Sequence, residues 1–163
     1  MAMSIFARIG TIQGESRDAR HQDEIDVLAW SWGVSRSGTV SHGGGGGAGK
    51  ASLHDLSFTH HVDKASPRLM TACATGEHLP EATITVRRTG QGQQEYLVIR
   101  LKDVLVTSVA TGVSAEQGAT SEDVVLAFTR VDLEYRPQKA DGSLDAGVHF
   151  EHDVKVQKGG RPA

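Results

Sequence analysis

The sequence predicts a mainly β fold, a compact barrel of two packed antiparallel sheets with one short flanking α-helix over about 66–75, on three observations. Apolar residues alternate with polar ones along most of the chain, and the alternating stretches carry Val, Ile and Thr, whose branched side chains suit a pleated surface. The alternation changes parity near Thr129, since Val124, Leu126 and Phe128 are even and Val131, Leu133 and Tyr135 odd. Successive strand side chains point to opposite faces, so such a flip needs a bulge or a passage between sheets, the device that turns corners in sandwiches and barrels. One segment, Ser66 to Gly76, carries helix punctuation instead: an N-cap Ser, Pro67 at the first helical position and Gly76 at the stop.

The elements are taken in chain order. Ile5 to Ile12 is the first strand and Ile25 to Val34 the second. Ser52 to Val62 is the third, with Leu56, Phe58, His60 and Val62 on one face. In the helix Leu69, Met70 and Cys73 share a side that packs on the sheet, which makes Cys73 a small buried apolar residue rather than a nucleophile. Ala82, Ile84 and Val86 share a face of the fourth strand, opposite Thr83, Thr85 and Arg87. After the Gly90 to Gly92 turn, Leu97, Ile99 and Leu101 alternate with Val98, Arg100 and Lys102, and the apolar run continues to Val109. The last strand contains the parity flip.

A length of 163 residues suits one domain over 1–163, with a flexible glycine-rich loop at 38–50 and a mobile tail from about 142. With 17 basic and 20 acidic residues the net charge is −3, which favours neither a nucleic-acid backbone nor an anionic membrane. The chain has no long apolar run, and its first residues lack the basic-then-apolar order of a signal peptide, so synthesis in the cytosol without a Sec-type exit is expected. One cysteine excludes an internal disulfide and a thiolate metal site.

Candidate chemistries fall on spacing. Gly44, Gly49 and Lys50 match the start of a phosphate-binding loop, but Ala51 stands where Ser or Thr would hold magnesium, and the next residues have a strand pattern where a helix is needed. Nucleotide binding through Gly44 to Lys50 therefore stays a minor alternative. His60 and His61 point to opposite faces of a strand and cannot share an ion, although His61 and Asp63 could, and the histidines read as scattered surface residues. Gly33 to Gly38 misses the spacing of a nucleophile elbow. Asp23 with Glu24, and Glu122 with Asp123, sit at strand starts where charges are usually solvated. No catalytic residues, cofactor or metal are expected, and an interaction protein is the better class.

Gly14, Glu15 and Ser16, the stretch Glu24 to Gly33 with Trp30-Ser31-Trp32, the glycine-rich loop, Asp55 to Thr59 and the helix ending at Cys73 closely resemble, in that order, the Hcp family. These haemolysin-coregulated proteins are tube subunits of the bacterial type VI secretion system, and the resemblance runs from about Ile5 to Gly142. It implies a β-barrel subunit of a homohexameric ring, rings stacked into a tube driven by a contractile sheath with a VgrG-like spike, and export of small effectors held in the lumen. A dedicated effector-carrier ring of the same family is the alternative. Edge strands joined around a closed ring would satisfy backbone groups that otherwise invite aggregation. Stacking needs a part that reaches beyond each ring, which makes Gly43, Gly44, Gly45, Gly46, Gly47 and Lys50 the inter-ring contact. Trp30 and Trp32 share a face and read as core or subunit contacts; Ala29 and Ser31 face away, toward the lumen and its cargo or else toward outer solvent.

Overall fold

The computed structural model describes residues 3–38, 51–88, 90, 92–113, 115–116 and 118–155. Their elements, in chain order, are β1 (Met3–Ile9), β2 (Ile25–Ser31), β3 (Val34–Arg36), β4 (Ala51–Leu53), β5 (Leu56–His61), α1 (Ala65–Thr75), β6 (His78–Arg88), β7 (Glu95–Val113), β8 (Thr120–Ala127), β9 (Arg130–Tyr135) and β10 (Val148–Asp153). The strands β7, β6, β1, β2, β5 and β8 pair in that order, and β8 returns to β7, which closes a six-stranded antiparallel barrel. Closure joins two edges that would otherwise be left open.

The long strand β7 makes this possible. It pairs with β6 from Glu95 to Leu105 and with β8 from Leu105 to Val113. On its other edge Leu97 to Lys102 pairs with β9, so β8 and β9 lie in tandem along β7. The expected last strand is therefore two strands, parted at Phe128 and Thr129, and the parity flip is the step between them. The Thr129 amide donates to the Lys102 carbonyl at 3.1 Å, and the Thr129 hydroxyl donates to the carboxylate of Asp103, itself at φ 50°.

Other boundaries move for local reasons. The first strand stops at Ile9 because Gly10 turns left-handed (φ 53°) and the Ile12 amide folds back to the Ile9 carbonyl. The second and third strands each break: β3 and β4 pair with one another as a ribbon separate from the barrel. At the base of that ribbon, the Trp32 indole donates to the His54 carbonyl and the His54 amide to the Gly33 carbonyl. Residues expected in a mobile tail form β10, paired in register with β9.

The helix starts one residue early. Asp63 accepts the Ala65 amide at 2.8 Å, while Ser66 lies inside the first turn and accepts the Asp63 amide at 3.2 Å. The expected Ser66 cap is therefore not formed: Lys64 holds the cap position without a side-chain bond, and Asp63 and Ser66 beside it each satisfy one otherwise free donor. Gly76 ends the helix in the left-handed conformation, as the sequence predicts. Ala65, Leu69 and Ala72 are buried and Cys73 packs partly against the core, but Met70, expected beside them, is exposed. Inside the barrel Leu56, Phe58, Ile84, Ile99 and Leu126 are almost wholly buried. Each contributes about 1.5–3 kcal/mol relative to an exposed side chain.

Candidate assembly and cargo surfaces

Two outer faces of the barrel differ in what covers them. On β1 and β6, Phe6 lies opposite Thr85 and Ser4 opposite Arg87, on the outward side by strand parity. Phe6, Thr85 and Arg87 are nonetheless buried, because residues 13–24 cross this face as a strap. Gly14 lets the two ends of the strap approach closely: a Cβ there would stand 2.5 Å from the Glu24 carbonyl oxygen. Glu15 accepts the Lys64 amide at 2.9 Å and so ties the strap to the start of α1. Ser16 is buried, its hydroxyl accepting the Asp18 amide. The Gly14, Glu15 and Ser16 motif thus consists of a close approach, a helix tie and a buried turn.

Beyond the motif, Arg87 donates through both terminal nitrogens to Asp18, and its guanidinium lies over the Phe6 ring, 4.9 Å from the centroid. That charged hydrogen bonding holds the Asp18 carboxyl well below the usual carboxylate range. His21 also stacks on Phe6, at a centroid distance of 4.3 Å, and lies between Glu24 and Glu95, with ring nitrogens 2.7 and 2.6 Å from their carboxylates. The strap therefore covers the Phe6 ring, which Arg87 and His21 both contact, and links to β7 through Glu95.

The face formed by β2, β5, β8 and the second half of β7 has no such cover among the described residues. Side chains facing outward here are Ala29 and Ser31, Ser57 and Thr59, Asp123 and Val125, then Ser108 and Ala110, adjacent across the four strands by register. Ala29 and Ser31 are exposed, and Thr59 donates to Asp123 at 2.6 Å. This is a broad surface of small and mostly polar side chains.

The opposite parity on the same strands points inward and carries charge. His60 and Glu122 are buried side by side, Nε2 to Oε1 at 2.8 Å, with Thr111 donating to the second oxygen of Glu122 at 2.7 Å. Burial pulls the His60 imidazolium down, but the carboxylates of Asp63 and Glu122 outweigh it and leave the group raised. Two sequence expectations change here. His60 is not a surface histidine, and Asp63 faces His60 at 3.8 Å while His61 points outward. Glu122 is not solvated, nor does Glu24 stand free, because each has a histidine partner. His60 shares parity with Leu56 and Phe58, and Glu122 with Val124 and Leu126, so the inward direction of both was visible in the alternation. Their pairing joins residues 62 positions apart and was not.

Trp30 is half-buried opposite Phe58, on the core side. Trp32 is half-buried as well, with Phe128 and Phe150 at centroid distances of 6.3 and 6.0 Å. Strand parity thus separates Trp30 from Ala29 and Ser31, while Trp32 lies just beyond the end of β2. Gly43, Gly44, Gly45, Gly46, Gly47 and Lys50 lie outside the described residues. The chain continues from Lys50 into β4, a strand rather than the helix a phosphate loop requires.

Residues 6–135 match the family described as Type VI secretion system effector, Hcp. The chain is 53% identical over 148 residues to Protein hcp1 of Pseudomonas aeruginosa, covering 90% of this chain and 91% of that protein. The crystal structure of Hcp1 from Salmonella typhimurium is similar with a TM-score of 0.78 at 35% identity, over 96% of this chain and 97% of that one. A type VI secretion system effector from Yersinia pestis aligns with a TM-score of 0.75 at 33% identity, over 92% and 99% of the two chains. Barrel, strap motif and sequence agree, and the chain belongs to the Hcp family of type VI secretion system proteins.

Proposed function

We propose that the chain is a non-enzymatic tube subunit whose copies close into hexameric rings, that the rings stack, and that effectors travel in the lumen. The face of small and polar side chains on β2, β5, β8 and β7 carries this reading, with Ala29 and Ser31 toward the cargo. Short side chains leave lumen space and present hydroxyls to many partners without selecting one strongly. The opposite face is occupied by the strap, so it is the poorer lining. The 38–50 segment, which joins β3 to β4 in the chain, supplies the inter-ring contact through Gly43 to Gly47 and Lys50. The unburied edges of Trp30 and Trp32 supply contact between subunits.

The partners of such a tube are a contractile sheath, a VgrG-like spike and small effector proteins. A subunit of this kind is made in the cytosol and leaves folded through the apparatus. Among the described residues no helix is long and apolar enough to cross a membrane. Mass measurement in solution at tens of micromolar should give about six subunits; a stable monomer overturns the ring. Ser31→Gln should lower stabilisation of a co-expressed effector while the ring mass stays the same. Unchanged effector binding would remove Ser31 from the lining.

A further inference from the structure

We propose that Asp132, His149 and Glu151 form a surface site for a divalent metal of borderline softness, zinc in the first instance, which clips β10 to β9. One ligand atom from each of the three lies within 4.8 Å of the others. The ladder sets this geometry. His149 lies opposite Glu134 and Glu151 opposite Asp132, so four side chains of two paired strands stand as a two-by-two grid on one face.

Within the grid Asp132 and Glu151 are like charges directly opposite one another, an arrangement that destabilises a strand pair unless a cation sits between them. Of the neighbouring arginines, Arg136 lies 3.7 Å from Glu134 and Arg100 divides itself between Asp132 at 3.4 Å and Glu134 at 3.7 Å, so neither pairs with Glu151. Glu151 has no ion-pair partner among the described residues. Glu134 is buried and its carboxylate lies 3.1 Å from His149 Nε2. A second carboxylate behind a histidine fixes the ring and turns the other nitrogen toward the remaining ligands. That other nitrogen, Nδ1, is hydrogen-bonded to Asp132 at 2.9 Å, a bond the metal would replace by taking both atoms as ligands.

Gly147 completes the arrangement, since a Cβ there would come within 2.5 Å of the Glu134 carboxylate and displace it. One imidazole nitrogen with two carboxylate oxygens suits zinc or its first-row neighbours better than calcium or magnesium. Three protein donors leave one tetrahedral position for water. The consequence is mechanical: among the described residues β10 pairs with β9 alone, and the metal adds a second tie to this edge strand.

The test uses tag-free, chelator-treated full-length protein titrated with Zn2+ by calorimetry and with Co2+ by visible absorption. One equivalent should bind, and backbone amides of β10 should exchange more slowly with the metal present. His149→Gln and Glu151→Gln should each weaken binding at least tenfold and remove the slowing, whereas the controls His61→Gln and His78→Gln should keep both. The residues exchanged are exposed, and circular dichroism of each variant verifies its fold. Absence of saturable binding below millimolar zinc overturns the site. So does equal loss in the control variants, and so does a His149→Gln protein that binds metal as before. A β10 that loosens in His149→Gln without any metal effect assigns His149 the role of a cation in its own right, and also overturns it.

Discussion

His60 and Glu122 occupy positions where the alternation calls for apolar residues, yet both are sealed inside the barrel. A buried pair offsets its own desolvation only while both members are present, so the cost of losing one exceeds the net worth of the pair. His60→Ala should destabilise by about 3–5 kcal/mol in chemical denaturation, whereas replacing both residues by apolar ones of similar volume should cost far less. Because the native His60 is raised, its contribution is complete below the ordinary histidine value and is lost as pH rises through the native one. Asp18 titrates in the opposite sense. Its carboxyl is held low by Arg87, so the stability it supplies is present above its ordinary value and declines as pH falls below about 4. Thermal melting of Asp18→Asn across the acid range should lack that part of the decline.

At the scale of the elements, the strap and the helix each depend on one small feature. Gly14→Ala has no room at the Glu24 carbonyl and should cost about 1–3 kcal/mol, while loosening the contact between the strap and α1. Limited proteolysis within 13–24 would report this. Leu69 is the helix's wholly buried anchor, and Leu69→Ala should cost about 2–5 kcal/mol by denaturation. Met70→Ala should cost little, since its side chain is exposed. That contrast between adjacent residues comes from helical spacing: Ala65, Leu69 and Ala72 at i, i+4 and i+7 form the stripe that faces the barrel, and Met70 lies off it.

At the scale of the whole molecule, the described residues leave the closed barrel with one covered face and one uncovered one, and assembly must use what they leave open. The prediction at this scale is that particle images show six-fold rings with an open centre, and that Asp18→Asn, altered beneath the strap, leaves the ring diameter unchanged. A change of diameter would mean that the strap is part of the subunit contact.

Mainly β architecture, the helix stop at Gly76, the opposed faces of Trp30 and Ser31, and family membership were all legible in the chain, because each rests on residue type at short spacing. Side-chain direction along a strand repeats every second residue, so parity needs no partner to be known. The split of the last strand, the strap over Phe6 and Arg87, the His60 pairing with Glu122 and the grid of β9 and β10 were not legible. Each depends on register between segments distant in sequence, such as Asp18 with Arg87 or Asp132 with His149. Local alternation says which way a residue points; only closure of the barrel, which fixes which strands adjoin and in what register, decides what it meets there.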